Sequence, residues 1–463
     1  MPDALSRDLK VPHVGLENDA DIGAALEWFG RASGDPTAFR MRLRAAQRTY
    51  TALTAGPDAL GQDLSLTAMG KDIVASFFAQ AKSLLDDRRS FDFALASRCI
   101  PWVKQIGVNV EVLSRVPGAC ERARRMLENR STEPDSGLFE LAMAGNYAAD
   151  GDEVVFVEEQ KGMAKTPDLH LFAAGHPKPV AVEFKRLRSG RYEFDERELQ
   201  RSIFQRMAKV IDRHSLSVHI DVNYTVELKD IPESYLADWL LRYLSSPLIT
   251  PGRYPWHDEF GSGEIRPANV AAVLDDIADS SLYFGTKLAR LLAGCPVRES
   301  GYHLVAELDP DERDPRYFEA FHFGSVITWQ CTAPASIDRK ARHVKAKLVE
   351  AGRQVKTQEV GVIHLAMDAE IGCESSDLRR QRNKEVIQEF HAESLVAALY
   401  VHYLVPRVSE SHAWLIDETV DKFGQGEESV PKMMIFSGST PLENGLPAWR
   451  QTLGRPPQSS LIK

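Results

Sequence analysis

Two short runs in the middle of the chain alternate in polarity or stay apolar: Thr166-Pro167-Asp168-Leu169-His170-Leu171 and Val180-Ala181-Val182-Glu183-Phe184-Lys185. Such runs read as strands, and Gly175-His176-Pro177-Lys178-Pro179 between them is turn chemistry, so the pair predicts a β-hairpin. Upstream, Ser136 to Tyr147 is helical in composition and apolar nearly all round, which predicts a buried helix. Glu153 to Val157 reads as a strand between that helix and the hairpin.

The flanks follow other periods. From Asp21 to about Arg130 the pattern is helical, with Ile73, Phe77, Ala81 and Leu84 on one stripe. After the hairpin, a helix from about Asp195 to His214 presents Leu199, Ile203, Met207 and Val210 on one face. It leads to an alternating strand, Ser217 to Tyr224, as a parallel or mixed sheet requires. Helices are expected over Lys229–Ser246 and Val270–Leu292, with a Pro- and Gly-rich loop over Ser245–Asn269. Tyr302–Leu308 and Phe321–Cys331 read as strands. Ile337, Ala341, Val344, Leu348, Ala351 and Val355 form an apolar helical stripe before a buried strand, Val360–Met367. A second such pair follows: helix Ser376–Ala392, then strand Leu395–Leu404. Met1–Ala20 reads as a loosely ordered lead and Gly454–Lys463 as a mobile tail.

The chemistry lies in the few charges that interrupt the apolar runs. Side chains alternate along a strand, so Glu183 and Lys185 share a face, as do Asp168 and His170. With the right register, Asp168, Glu183 and Lys185 converge, giving two acids for a hard cation with a proton-managing amine beside them. Glu140 is the one charge in its apolar stretch. Burying a lone carboxylate is costly, so it wants a partner. Each feature alone fits a plainer role: Asp168 as a turn residue, Glu183 and Lys185 as edge-strand charges. Taken together they point to a site, because charges on an apolar, internal-looking strand need a purpose.

The order of these parts resembles the PD-(D/E)XK phosphodiesterase superfamily. Its pattern is a helix bearing an acid, a strand, a strand opening with Pro-Asp, and a strand carrying acid-x-Lys. Here these are Glu140, Glu153–Val157, Pro167-Asp168 and Glu183-Phe184-Lys185. The match covers roughly Glu133 to Glu227, about a fifth of the chain. Gln354-Val355 before the 360–367 strand is similar to a further helix–strand element of the superfamily.

The resemblance implies an α/β (α+β) fold, a restriction-endonuclease-like mixed sheet flanked by helices. Around it the pattern divides into a helical N-terminal domain (1–130), the nuclease core (131–227), an insertion or linker (228–335) and a C-terminal α/β region (336–463). The last either completes the core sheet or stands apart. The implied activity is Mg²⁺- or Mn²⁺-dependent phosphodiester hydrolysis in nucleic acid, DNA ahead of RNA, as in restriction, repair or antiphage defence. Asp168, Glu183, Glu140 and the Phe184 carbonyl would serve the metal, with Lys185 handling the water. Oxygen-only donors favour Mg²⁺ or Mn²⁺ over Zn²⁺. His170, Arg186, Arg188 and Gln200 are substrate-side candidates. On their own residues they read as a half-buried strand histidine, a basic connection and a helix-surface glutamine. The alternative is a catalytically silent binding or scaffold protein that keeps the fold.

Composition sets bounds on these readings. The 463 residues, 43% hydrophobic and 26% charged, are those of a globular protein. No apolar run has the length of a membrane span, and Met1–Lys10 lacks a signal peptide's apolar core. Cys99, Cys120, Cys295, Cys331 and Cys373 are scattered, odd in number and without C-x-x-C spacing. That argues against a disulfide framework or structural zinc, and for a cytoplasmic setting without membrane partners. No phosphate-loop, H-E-x-x-H or G-x-S-x-G motif is present.

The net charge of −10 would repel nucleic acid if it were spread evenly. It is not: residues 337–357 carry seven Lys/Arg against two Asp/Glu, and 183–214 carry nine against six. Arg40, Arg42, Arg44 and Arg48 form a further cluster, as do Arg379, Arg380, Arg382 and Lys384. Solvated helix faces explain each singly; together they leave room for a phosphate-binding groove. A homodimer, or a partner protein on the N-terminal helices, is the expected assembly.

Overall fold

The computed structural model describes residues 15–54, 72–87, 90–158, 166–172, 178–246, 252–280, 282–283, 286–295, 297, 301–355, 360–369, 374–392, 396–407, 415–424, 434–436 and 447. The expected turn at residues 175–177, the tail at 454–463, most of the lead and Cys373 lie outside them.

Six helices open the described chain: α1 (Ala20–Ala32), α2 (Pro36–Thr54), α3 (Ile73–Asp86), α4 (Phe93–Val108), α5 (Val110–Leu113) and α6 (Ala119–Glu128). Capping starts three of them, with Asp19, Asp72 and Asp92 each accepting from a backbone N–H of the first turn. The buried helix is α7 (Asp135–Ala149), followed by β1 (Glu153–Phe156), β2 (Leu169–Phe172) and β3 (Val180–Leu187).

β2 and β3 pair antiparallel, as a hairpin requires, with Leu169 opposite Val182. β1 pairs antiparallel with the other side of β2. The next sheet neighbour of β3 is β9 (Gly361–Asp368), parallel to it and far along the chain. β10 (Val396–Arg407) and β11 (Leu415–Gly424) complete six strands in the order β1-β2-β3-β9-β10-β11. α12 (Pro334–Val355) and α13 (Glu374–Ala392) precede β9 and β10. The apolar stripe read on α12 is buried at Ile337, Ala341, Val344, Leu348, Ala351 and Val355, the last four of them against β3, β9 and β10.

Between β3 and α12 the chain builds a second sheet. α8 (Arg191–Arg213) leads to β4 (Val218–Tyr224), and α9 (Tyr235–Ser245) to β5 (Tyr254–His257) and β6 (Gly261–Pro267). α10 (Val270–Ala278) and α11 (Lys287–Ala293) precede β7 (Tyr302–Pro310) and β8 (Phe318–Cys331). The strand order is β5-β6-β4-β8-β7, with β4 and β8 parallel and the other pairs antiparallel.

Four expectations change here. The helix expected over Val270–Leu292 is two, α10 and α11. On α8 the buried face is Glu196, Gln200, Ile203, Met207 and Ile211, and Leu199 is exposed. The strand at 218–224 does not extend the first sheet; its backbone pairs with β6 and β8 in the second. The Pro- and Gly-rich stretch 245–269 is not all loop, for it carries the β5–β6 hairpin. Pro255 is tolerated because β5 is the edge strand, and Pro267 because it ends β6.

The result is a mixed α/β fold with helices flanking two mixed sheets. One apolar core runs from Trp28, Phe29 and Phe78 in the N-terminal helices, through Phe139 and Tyr147 of α7, to Val182, Phe184, Val362 and Tyr400 of the first sheet. The N-terminal helices therefore cover one face of this sheet, and α12 and α13 the other. Among the described residues, no helix is long and apolar enough to cross a membrane.

Candidate functional site

β3 is longer than β2. Their ladder covers Val180–Val182, and beyond it residues 183–187 of β3 pair with β9 alone. The chain just ahead of β2 meets this open edge: Asp168 N–H donates to the Val182 carbonyl, at 3.1 Å. The Asp168 carboxylate then accepts from the next N–H along the edge, Phe184, at 2.9 Å. Register thus sets Asp168 opposite Glu183, the register that their convergence requires, and an edge N–H anchors it.

Glu140 comes from the face below. α7 seats on β3 through its neighbour Phe139, which is fully buried and meets the Phe184 ring edge-on at 5.3 Å. α6 crosses α7 closely because residue 137 is glycine: a Cβ there would stand 2.8 Å from Met126 Sδ. One turn before Met126, Arg122 reaches the site. Its Nε donates to Glu140 Oε2, and its Nη2 lies 2.7 Å from Asp168 Oδ1. One guanidinium thus spans carboxylates from two elements.

α12 closes the other side. Lys185 Nζ donates to Gln354 Oε1 at 2.8 Å, and Gln354 Nε2 donates to the Thr166 carbonyl at 3.3 Å. One amide thus ties the lysine to the segment carrying Asp168. Lys185 Nζ also lies 2.6 Å from Glu183 Oε1 and 3.7 Å from Glu350 Oε1.

The electrostatics centre on Glu183, which has no exposed surface. Lys185 is in ion-pair range, yet neither Glu183 oxygen has a well-aligned hydrogen bond. Burial, then the Asp168 charge and more weakly Glu140, outweigh Lys185 and push the Glu183 carboxyl up to about 8. Burial works against the Lys185 ammonium, but Glu183 and then Asp168 overcome it and hold its pKa above the ordinary value.

Four predicted residues, Glu140, Asp168, Glu183 and Lys185, therefore come together. The substrate-side candidates fare differently. His170 stands opposite Ala181, on the strand that leads from Asp168, and burial lowers its pKa. Arg186 is buried between Asp135, at 3.3 Å, and Asp368, at 2.5 Å, so it braces the fold. Arg188 also pairs with Asp135 and donates to the Glu133 carbonyl at 2.7 Å. Gln200 is a correction. It is fully buried rather than on a surface, and α8 carries it toward the Tyr224 side of the second sheet.

Arg122 and Glu350 were not legible as site residues. The one signal for Arg122 is its place beside the buried stripe Ala119, Ala123 and Leu127 of α6. Gln354 was legible, as the helix-end glutamine before an apolar strand.

Three carboxylates and an amine at an open strand edge can hold a hard cation, position a water and offset charge on a phosphate oxygen. Among the described residues, no three His, Cys, Asp or Glu side chains stand in metal-holding geometry as they are placed, and Arg122 holds two of the acids. No protein-family model and no curated protein matches this chain.

Proposed function

We propose that the chain is a divalent-metal-dependent nuclease that hydrolyses phosphodiester bonds in nucleic acid, DNA before RNA. The observation that carries this reading is the meeting of Glu140, Asp168, Glu183 and Lys185 at the open edge of β3, with Gln354 orienting the lysine. The residues fit Mg²⁺ or Mn²⁺. The donors are all oxygen, and both oxygens of the buried Glu183 carboxylate lack an aligned hydrogen bond, in a cluster rich in negative charge. Asp168, Glu183, Glu140 and the Phe184 carbonyl would hold such an ion.

When bound, such an ion polarises a phosphate oxygen and lowers the pKa of a water. The chain's own residues supply the rest. The Phe184 N–H fixes one Asp168 oxygen. Gln354 restrains the Lys185 side chain, and Glu183 keeps the amine charged. A charged Lys185 Nζ can orient a water and compensate charge that develops on the phosphoryl group. α12, whose end supplies Gln354, is rich in Lys and Arg, including exposed Arg342 and Arg353. Exposed positive charge on the helix that reaches the site suits a phosphate backbone. Restriction, repair or antiphage defence is the biological setting this reading suggests.

The test is cleavage of plasmid and oligonucleotide substrates with Mg²⁺, with EDTA, and by Asp168→Ala and Lys185→Ala variants. Loss of cleavage in EDTA and a drop of about 10²-fold or more in either variant are expected. Cleavage that persists in both variants overturns the proposal. A binding or scaffold role is the second reading, favoured by the ion pairs between Arg122 and two of the acids. Calorimetry showing nucleic-acid binding but no divalent-ion binding would support it.

A further inference from the structure

Glu140, Asp168 and Glu183 do not face one another bare. Arg122 stands between the first two, Nε on Glu140 and Nη2 at 2.7 Å from Asp168, with only 14% of its side chain exposed. These are oxygens that a divalent ion at the proposed site would need. A guanidinium and a metal ion cannot occupy the same lone pairs of two carboxylates. Meanwhile the third acid, Glu183, is fully buried with neither oxygen in an aligned hydrogen bond. The cluster therefore combines two acids bridged by Arg122 with a third whose cation, Lys185 Nζ at 2.6 Å, comes from its own strand.

We propose that Arg122 is a resident counter-cation: it holds Glu140 and Asp168 together before metal binds and sets the site's metal affinity by competing for them. This rests on the nuclease reading above. The residue suits the task because its side chain is long and hinged on α6, an element separate from those carrying the acids. It can let go by changing rotamers without moving α7 or β2. Its two bonds also fix the spacing between an acid on α7 and one just ahead of β2, which otherwise repel. Arg122 is thus a positioning residue with an inhibitory side. It orders the site and makes a divalent ion displace a charge in order to enter.

The experiment is calorimetric titration of the full chain with Mn²⁺, comparing wild type, Arg122→Gln and Arg122→Lys, each checked for folding by circular dichroism. Melting temperatures are recorded in EDTA and in Mn²⁺. Removing the competing charge should tighten Mn²⁺ binding by about tenfold or more. Arg122→Lys keeps a charge but cannot fork between two acids, so a smaller tightening is expected. In EDTA, Arg122→Gln should melt below wild type, and Mn²⁺ should raise its melting temperature more than it raises that of wild type. Binding to Arg122→Gln that is no tighter than to wild type overturns the inference while leaving the metal site standing. If neither folded protein binds Mn²⁺, the nuclease reading fails as well, and Arg122 is a structural ion-pair partner. Should Arg122→Gln not fold, Arg122→Lys decides: tighter binding supports competition, and unchanged or weaker binding refutes it.

Discussion

Glu183 shows how one side chain's surroundings become a measurable property. Its carboxyl is raised from an ordinary 4.5 to about 8, first by burial and then by Asp168. The folded chain therefore keeps a proton that the unfolded chain has shed between those two values. The stability this lends is fully present below the unfolded pKa and is lost as pH rises through the folded one. Glu183→Gln mimics the protonated form at every pH. In EDTA, its melting temperature should match wild type near pH 4.5 and exceed it by a few degrees, about 2–4 °C, near pH 8.5. A wild type that gains on the variant as pH rises would contradict the raised pKa. At this scale the site was largely legible, because acid-x-Lys on an apolar strand and Pro-Asp ahead of another are local signals. Arg122 was not: one arginine in a helix containing Arg124 and Arg125 carries no mark of which one turns inward.

At the scale of elements, what matters is how α6 is aimed. Its N-cap is Gly118, which has a left-handed φ of +85°, and a Cβ there would stand 2.7 Å from Phe156 Cβ on β1. The preceding Pro117 carbonyl accepts from the Phe156 N–H at 3.0 Å, so the helix start is docked on the end of β1. Gly118→Ala should cost about 2 kcal/mol or more, through backbone strain and the clash together. Chemical denaturation measures this, and a loss below about 0.5 kcal/mol would show that the junction gives way freely. Because α6 carries Arg122, the same variant should also loosen the Arg122 ion pairs. The helix and its apolar stripe followed from the 3.6-residue period. The entry angle did not, since it depends on a strand more than thirty residues further on.

Across the whole molecule, long-range pairing joins the parts. β3 lies beside β9, with Glu183 opposite Ile363, and an entire five-stranded sheet is inserted between them. Under the first sheet runs a buried polar chain. Glu418 accepts from His402 Nδ1 at 2.5 Å, which leaves His402 Nε2 to accept from His364 Nδ1 at 2.9 Å. His364 Nε2 in turn accepts from the Tyr147 hydroxyl at 2.7 Å. Burial, then His402, holds the His364 pKa well below its ordinary value, in keeping with this neutral arrangement. Glu418 also accepts from the N–H groups of Ile435 and Phe436, at 2.9–3.0 Å, and so ties residues 434–436 to the sheet. Phe436 packs edge-on against Trp102 of α4 at 4.9 Å. Glu418→Ala would leave three buried N–H donors without this acceptor and should cost about 3 kcal/mol or more, against a smaller loss for Glu418→Gln. Equal losses for the two variants would mean that Glu418 acts through packing alone.

The amino-acid sequence by itself determined what neighbouring residues can determine. It placed most helices and most strands, the β2–β3 hairpin, the burial of α7 and α12, and the local positions of the four chemical residues. Those are consequences of side-chain periodicity and local polarity, which act over a few residues. Tertiary structure alone decided that β4 joins a second sheet and that β3 finds β9. It alone inserted Arg122 between Glu140 and Asp168 and buried Gln200 beside Tyr224 of the second sheet. Each of those depends on which surfaces meet across tens to hundreds of residues, and that choice is made by the burial of whole faces, not by any stretch of chain read alone.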